Sequence, residues 1–383
     1  MFKFFIVLYL LTLFLPLCTY ALYPLALWIV GKLFPFRPHR RQIMPKVSII
    51  IPAYNEAKAI ERKIQNTLAL QYPKDRLEIL VGSDGSTDET PALMRKFAPF
   101  GVRSIDFHKN RGKTAVQNDL VKQSKGEILV FTDAASFLEA DALKRLLRNF
   151  ADERVGCVAG RVRFVNTDMN ITSQSQGLYW RYEVKIRDME SKLGSLIGVD
   201  GPLYGVRRDC YVPLKTNVIS DLLTPLLVLE KGKKAVWEPE ANVTEYPTTT
   251  TSDEFSTRRR ITVRGLVGIS LYGRLLNPLR HPFMSLQLFL HKVLRWFVGP
   301  ILILNILATC ILSGHWLFSS MLLLYLLFFL SATLGWFAEH RGIKAGVLTV
   351  PYYFTLVNLA ATMGIVDFFA KREVVAWEPV RHP

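Results

Sequence analysis

Two patterns of apolar residues divide the chain. Near both ends the runs are long and uncharged; between them the runs are short and alternate with amphipathic stretches. From Val47, "VSIII" leads into "NEAKAIERKIQNTLAL", where Ile60, Ile64 and Leu68 recur at the spacing of a helix with one buried face. "LEILVG" follows, then "DETPALMRKFA" with Asp88 as a helix cap, then "VRSIDF", "TAVQNDLVKQ", "EILVFT" and "EADALKRLLRNF". Strands and helices taken in turn predict an α/β domain on a mostly parallel, doubly wound sheet. Ligands of such sheets lie at the carboxyl ends of the strands. The segments there are "PAYNE", "SDGSTDE", "HKNRGKT" and "DAAS", carrying the carboxylates Glu56, Asp84 and Asp133.

The long runs predict membrane helices. Phe4 to Gly31 holds no charged side chain, too long for the apolar part of a cleaved leader, so it reads as a retained anchor. Trp296 to Ala338 is also free of formal charge and is broken at Ser313–His315, which predicts two spans joined by a tight turn. Ala345 to Val366 is uncharged but contains Pro351 and Gly364, and two readings stay open for it: another span or a re-entrant pair. Amphipathic Phe283 to Phe297 suits a helix lying in the membrane interface, its His291, Lys292 and Arg295 towards headgroups. The expected division is an anchor over 1–36, a domain over 37–280, an interfacial helix over 281–296, two or three spans over 297–370 and a tail over 371–383.

Basic residues set the expected orientation. "RPHRRQ" from Arg37 follows the first span, and Arg274, Arg280, Lys292 and Arg295 precede the next, which puts the central domain in the cytoplasm of an inner-membrane protein. The turn at Ser313–His315 then faces outside and the loop holding Arg341 and Lys344 faces inside. The basic tail from Lys371 conflicts with a simple further crossing, so the topology of 345–383 stays open. A formal charge of +16 is met by anionic lipids beside the spans, and no zinc-finger spacing or basic heptad points to nucleic acid. The four cysteines form no Cys-x-x-Cys pair, which argues against disulfides and structural zinc.

The stretch "VSIIIPAYNEAKAIERKIQNTLALQYPKDRLEILVGSDGSTDET" resembles the opening of family 2 glycosyltransferases, the inverting enzymes of the GT-A fold. The likeness continues through "NRGKTAVQN", "VFTDAASFLEADAL", "GPLYGVRRD", "ISDLLTPLLVLEKGKKAVWEPEA", "FSTRRRITVRG" and the closing "VVAWEPVR". Bacterial membrane polysaccharide synthases, such as those making poly-N-acetylglucosamine, share this arrangement. The resemblance implies transfer of a hexose or N-acetylhexosamine, with inversion, from a nucleotide-diphosphate donor, UDP-linked in the first instance. The acceptor would be a polysaccharide or a lipid, and polysaccharide-export proteins are candidate partners.

It also implies roles for residues. Ala53, Glu56 and Asp84 would grip the nucleotide, Asp84 accepting from base and ribose, although an Asx-turn is the plainer reading of that acid. Lys113 would reach a phosphate or stay a solvated surface lysine. Asp133 matches the first acid of the family's Asp-x-Asp and would hold magnesium or manganese; Ala135 stands where the second acid belongs. A hydrated divalent ion needs only one or two protein carboxylates when phosphates complete its shell, so the departure at Ala135 weakens the expected metal site without abolishing it. Ser136 would cap a helix or touch the ion through water.

Asp221 would be the catalytic base, with Ser220 where a first acid is frequent. Arg260 would counter the leaving diphosphate, while Arg258 and Arg259 read as a juxtamembrane basic cluster. Thr257 and Ile261 replace the Gln and Trp of processive synthases, which favours transfer of one or a few sugars. The glycine-rich Gly198–Arg208 would approach the sugar or the acceptor. Glu183 and Glu190 would line the acceptor cleft or face solvent, two readings that stay open, and neither is given a role. The departures at Ala135, Ser220, Thr257 and Ile261 leave a second reading, a membrane sensor that binds nucleotide sugars without catalysis.

Overall fold

The computed structural model describes residues 2–164, 171–246, 250–343 and 346–372, so the "VVAWEPVR" motif and Lys344 lie outside the described residues. Eight strands form one sheet: β1 (Val47–Ala53), β2 (Leu77–Asp84), β3 (Val102–Phe107), β4 (Ile128–Phe131), β5 (Ser136–Leu138), β6 (Val155–Phe164), β7 (Tyr204–Arg207) and β8 (Lys234–Glu245), in the order β3-β2-β1-β4-β7-β6-β8-β5. Every residue of β1 and β4 is buried, because helices cover both faces; this is why their sequences run apolar without alternation.

The parallel expectation holds for β3, β2, β1 and β4, and the second half is mixed. β7 runs antiparallel to both β4 and β6, while β6 and β8 are parallel. Between β6 and β7 the chain leaves the sheet to build a long helix, Ile171–Ser191, and returns at the same end, which reverses the strand.

Among the described residues, three helices are long and apolar enough to cross a membrane: Phe2–Leu33, Trp316–His340 and Gly346–Phe369. A fourth candidate is the pair Pro282–Trp296 and Val298–Ile311, bent by 63°. The turn expected at Ser313–His315 separates Ile311 from Trp316. The helix Thr349–Phe369 is continuous through Pro351, which falls in its first turn, where no backbone donor is lost.

Side chains fasten these helices together and to the domain. Asn305 donates to the Tyr9 carbonyl at 2.9 Å and to Thr12 Oγ1 at 2.8 Å, and accepts from Tyr325 at 2.5 Å, so the first span is held by the later ones. The helix Thr251–Leu271 packs along Thr349–Phe369, with Arg259 forked onto Asp367 and a donor at 2.8 Å. That pair gives Arg259 a structural partner in place of a free juxtamembrane charge.

The Ile171–Ser191 helix bridges domain and membrane segments. Tyr182 donates to the Tyr20 carbonyl at 2.9 Å, Glu190 accepts from Tyr23, and Glu183 pairs with Arg295. His291 Nδ1 lies 2.6 Å from Glu190. The amphipathic stretch therefore turns His291 and Arg295 inward, where each is nearly buried, because the carboxylates that neutralise them stand on the bridging helix.

Candidate active site

Strand ends and helix starts converge on one cavity of 430 Å³. Asp133 follows β4, Lys113 opens the helix Lys113–Gln123 after β3, and Asp221 lies in the first turn of the helix Ser220–Glu230. Lys113 Nζ is 2.6 Å from Asp133 Oδ1 and 3.8 Å from Asp221 Oδ1. Lys113 is thus no solvated surface lysine; 16% of its side chain is exposed, between two carboxylates.

The loop before Lys113 explains where Asp84 goes. Gly112 has φ +90°, a left-handed value that turns its N–H inward. Asp84 accepts from Gly112 N at 2.7 Å and from Arg111 N at 3.0 Å. Burial raises the Asp84 pKa, and these backbone donors oppose the rise. The carboxylate braces the loop that launches Lys113. It and Ala53 are fully buried, and neither lies on the cavity lining.

Glu56 does line the cavity. Burial, with the negative charges of Asp133 and Asp88, pushes its carboxyl up to about 8, so it carries a proton at neutral pH and can donate a hydrogen bond. Asp88 spends its oxygens on Thr90 N and Ala57 N, both at 3.0 Å, which ties the "PAYNE" loop to the helix Thr90–Arg95.

Asp221 is held through both its side chain and its backbone. Ser220 donates to its Oδ1 at 3.1 Å, and its carbonyl accepts from Val199 N at 2.9 Å. Thr114 donates to the Val218 carbonyl at 3.0 Å, fastening the Lys113 helix to the same loop. Burial raises the Asp221 pKa and Lys113 opposes the rise. For Lys113, burial works against the ammonium, but Asp133 and Asp221 overcome it and hold its pKa above the ordinary value.

Gly201 lets these side chains meet. A Cβ there would stand 2.7 Å from Asp221 Oδ2, 2.8 Å from Lys113 Nζ and 3.2 Å from Asp133 Oδ2. Arg260, Thr257 and Ile261 line the cavity from the Thr251–Leu271 helix. One turn on, Arg264 donates to the Val218 carbonyl at 2.8 Å; burial, and Arg260 beside it, lower its pKa to about 10. Arg258 is paired with Glu254 at 2.8 Å.

Beneath the "DAAS" loop lies Lys63, fully buried. Its ammonium donates to Thr132 Oγ1 at 2.7 Å and to the Ser136 carbonyl at 2.6 Å. Thr132 in turn donates to the Pro202 carbonyl at 2.7 Å, so one hydrogen-bonded set joins the Asp133 loop to the Gly201 loop. Ser136 donates to the Asp133 carbonyl at 2.8 Å, closing the loop on itself instead of capping a helix.

Residues 48–211 match the family model described as glycosyl transferase family 2. The chain carries a family 2 glycosyltransferase domain. It is 34% identical over 133 residues to the probable glycosyltransferase YdaM of Bacillus subtilis, covering 32% of this chain and 31% of that protein. It is 31% identical over 153 residues to the poly-beta-1,6-N-acetyl-D-glucosamine synthase of Staphylococcus aureus strain COL, covering 36% of this chain and 37% of the relative. Against the beta-monoglucosyldiacylglycerol synthase of a Synechocystis strain the identity is 29% over 137 residues, covering 35% of this chain and 29% of that protein.

These alignments span about a third of each relative's length. Among solved structures, the mannosyltransferase PcManGT from Pyrobaculum calidifontis, bound to GDP-Man and Mn2+, superposes with a TM-score of 0.72 at 22% identity. The match covers 96% of this chain and all of that one, so the likeness of fold takes in the apolar helices as well as the GT-A domain.

The sequence reading missed Lys63, Arg264 and Arg187 as site residues, and it reached Asp200 and Gly201 only as part of the glycine-rich stretch Gly198–Arg208. A polar lysine on the apolar stripe of Ile60 and Ile64 was the available signal for Lys63.

Proposed function

We propose that this protein is an inverting glycosyltransferase that moves a sugar from a nucleotide-diphosphate donor, UDP-linked in the first instance, to an acceptor at the cytoplasmic face of the inner membrane. The convergence of Lys113, Asp133 and Asp221 from separate loops onto one cavity carries this reading. The basic residues flanking the domain support the orientation.

The residues fit a divalent cation held largely by the donor. Among the described residues no group of three or more His, Cys, Asp or Glu side chains is placed to share an ion. Asp133 is partly exposed to the cavity, so one carboxylate and the donor's phosphates would complete a magnesium or manganese shell. Bound there, the ion supplies positive charge to the diphosphate. Asp133 would hold it, and Ala135 leaves room beside it.

The remaining chemistry belongs to the chain. Asp221 takes the proton of an acceptor hydroxyl while that oxygen bonds to the anomeric carbon. The bond from that carbon to the diphosphate oxygen breaks, and its electron pair leaves with the nucleotide diphosphate. Lys113 and Arg260 face the growing negative charge, already in place before the reaction begins. Protonated Glu56 donates to the donor, and Asp84 keeps Lys113 in position through its loop.

The test is nucleotide release by the purified protein in lipid, with UDP-, GDP- and dTDP-sugars, acceptor lipids and glycans, and manganese, magnesium or EDTA. One donor should be consumed in a metal-dependent manner, and Asp221→Asn should bind that donor without transfer. Donor binding without turnover under every acceptor would instead establish the sensor.

A further inference from the structure

The helix that carries Asp221 is not fixed by its own sequence. Ser220–Glu230 starts without a side-chain cap, because Ile219 stands at the cap position and has no oxygen to offer. Just before it Lys215, Thr216 and Asn217 are exposed, and Val218 folds back into the core. The direction in which the first turn presents Asp221 is therefore set from outside the segment.

Two helices set it. From Lys113–Gln123, Asn118 holds Leu214 through both amide atoms, donating to its carbonyl at 2.6 Å and accepting from its N–H at 3.2 Å. Thr114 on the same helix donates to the Val218 carbonyl at 3.0 Å. From Thr251–Leu271, Arg264 donates to that same carbonyl at 2.8 Å and to the Thr216 carbonyl at 3.2 Å. One oxygen close before Asp221 thus receives donors from both helices.

Arg264 is unlike the other arginines turned into the fold. Arg148, Arg187, Arg258 and Arg295 each meet a carboxylate. Among the described residues Arg264 forms no ion pair; the charges that act on it are those of Arg260 and, at longer range, Asp221, and its buried Nε has no hydrogen-bond partner. A guanidinium beside a second cation and without a paired acid is a costly way to staple a surface loop. Nor do the two helices need it to pack, since Leu222, Leu223 and Leu226 meet Leu266 and Ile269 in one apolar cluster.

What Arg264 adds is a fixed relation between two reacting ends. In the proposed reaction Arg260, one turn earlier on the same helix, faces the departing diphosphate, and Asp221 faces the acceptor hydroxyl. Inversion needs the attacking and departing atoms in line through the anomeric carbon, so the spacing of these groups has to be held.

We propose that Arg264 is a positioning residue for the base, a strut that holds the Val218 carbonyl, and Asp221 with it, at a fixed separation from Arg260. This rests on the transferase reading. Arg264 acts through the loop and not by contact with the donor.

The experiment uses the full chain in phosphatidylcholine vesicles with its active donor, and measures transfer to acceptor and hydrolysis of donor on one preparation. Departure of the diphosphate is common to both reactions. Placement of the base matters most to transfer, because water can follow a displaced carboxylate and an acceptor held along its length cannot. Arg264→Met should lower transfer about 10- to 10²-fold, the scale of ångström-level misplacement, and hydrolysis by about threefold or less, with the donor KM near that of wild type. The ratio of the two rates does not depend on how much of the preparation is folded, so a loss of folded protein cannot imitate the result. Equal falls in transfer and hydrolysis, or a donor KM raised about tenfold, the effect of losing a bond to a charged group, would place Arg264 at the leaving group and overturn the proposal.

Arg264→Lys keeps a cation and a single donor group, so it should recover part of the lost ratio, and it takes the place of Arg264→Met if that variant does not fold. Thr114→Val removes the other donor to the Val218 carbonyl with little change of shape. Combined with Arg264→Lys it should lower the transfer-to-hydrolysis ratio by more than the product of the two single effects, because either donor alone still holds the oxygen. A simple product would show that the two do not share that oxygen's task, and the strut would fail. Consumption of no donor by the wild type, with or without acceptor, would sink the transferase reading itself.

Discussion

The Lys113 ammonium stands 2.6 Å from Asp133 Oδ1 and 3.8 Å from Asp221 Oδ1, bridging the proposed ion-holding acid and the proposed base. Before a donor arrives, the lysine occupies the charge position that a cation and a diphosphate would share. Lys113→Met should therefore have opposite effects on two measurements. The manganese concentration for half-maximal activity should fall, because Asp133 no longer has a competitor. Turnover should drop about 10²-fold, as expected for a lost preorganised donor to the leaving group. A metal titration of initial rates reads both; a rise in the manganese requirement would refute the competition.

Gly201 offers a sharper geometric test. The Cβ of Gly201→Ala would meet Asp221, Lys113 and Asp133, all at flexible side-chain ends. The fold can absorb the methyl group, while the reacting groups are pushed apart. Turnover should fall roughly 10- to 10²-fold, the scale of ångström-level misplacement, with the melting temperature close to that of wild type. Paired kinetics and thermal melts decide it, and an unimpaired rate would show that the three side chains need not meet.

Glu56 predicts a pH dependence of stability. In the folded protein its carboxyl is pushed up to about 8 from an ordinary 4.5. The folded state thus holds a proton that the unfolded chain releases, and stability falls as pH rises through that window. The contribution is fully present below pH 4.5 and lost above about 8. Glu56→Gln, uncharged throughout, should flatten this part of the profile. Melts of both proteins across the window should diverge towards alkaline pH, with wild type the less stable; parallel curves would remove the case for a protonated Glu56.

Lys63 carries the opposite sign. Burial lowers its pKa to about 7 from 10.5, with Asp133 opposing, so the unfolded chain holds more protons over that interval and stability rises with pH. Lys63→Met also leaves the buried Ser136 carbonyl without this donor, at a cost of about 1–3 kcal/mol. Denaturation curves should show the variant below wild type, by a margin that grows from pH 7 to 10.5. A constant margin would mean the lysine keeps its charge when buried.

What the sequence revealed and concealed follows from distance along the chain. The carboxyl-end acids were readable because strand and helix alternate locally, and that alternation alone places Asp133 and Lys113 near one edge. Lys113 could not be told from a surface lysine, since its partner Asp221 arrives from a far loop. The amphipathic period of Phe283–Phe297 was legible, yet its cations point to protein rather than headgroups. Glu190, which receives His291, is 101 residues away, and nothing local announces it. The reversal of β7 was hidden for a related reason: a strand's direction depends on where the preceding helix returns the chain.

The Glu183, Glu190 and Asp367 contacts have a consequence for reach. They clamp the domain to its apolar helices by short side chains at several points, in place of a single swivelling tether. With those helices in a bilayer, Asp221 is held at one altitude above the hydrocarbon. With Asp221 as the proposed base, the protein would work as a depth gauge: an acceptor hydroxyl carried too close to the lipid tails would pass beneath Asp221, and one carried on too long a stalk would overshoot it.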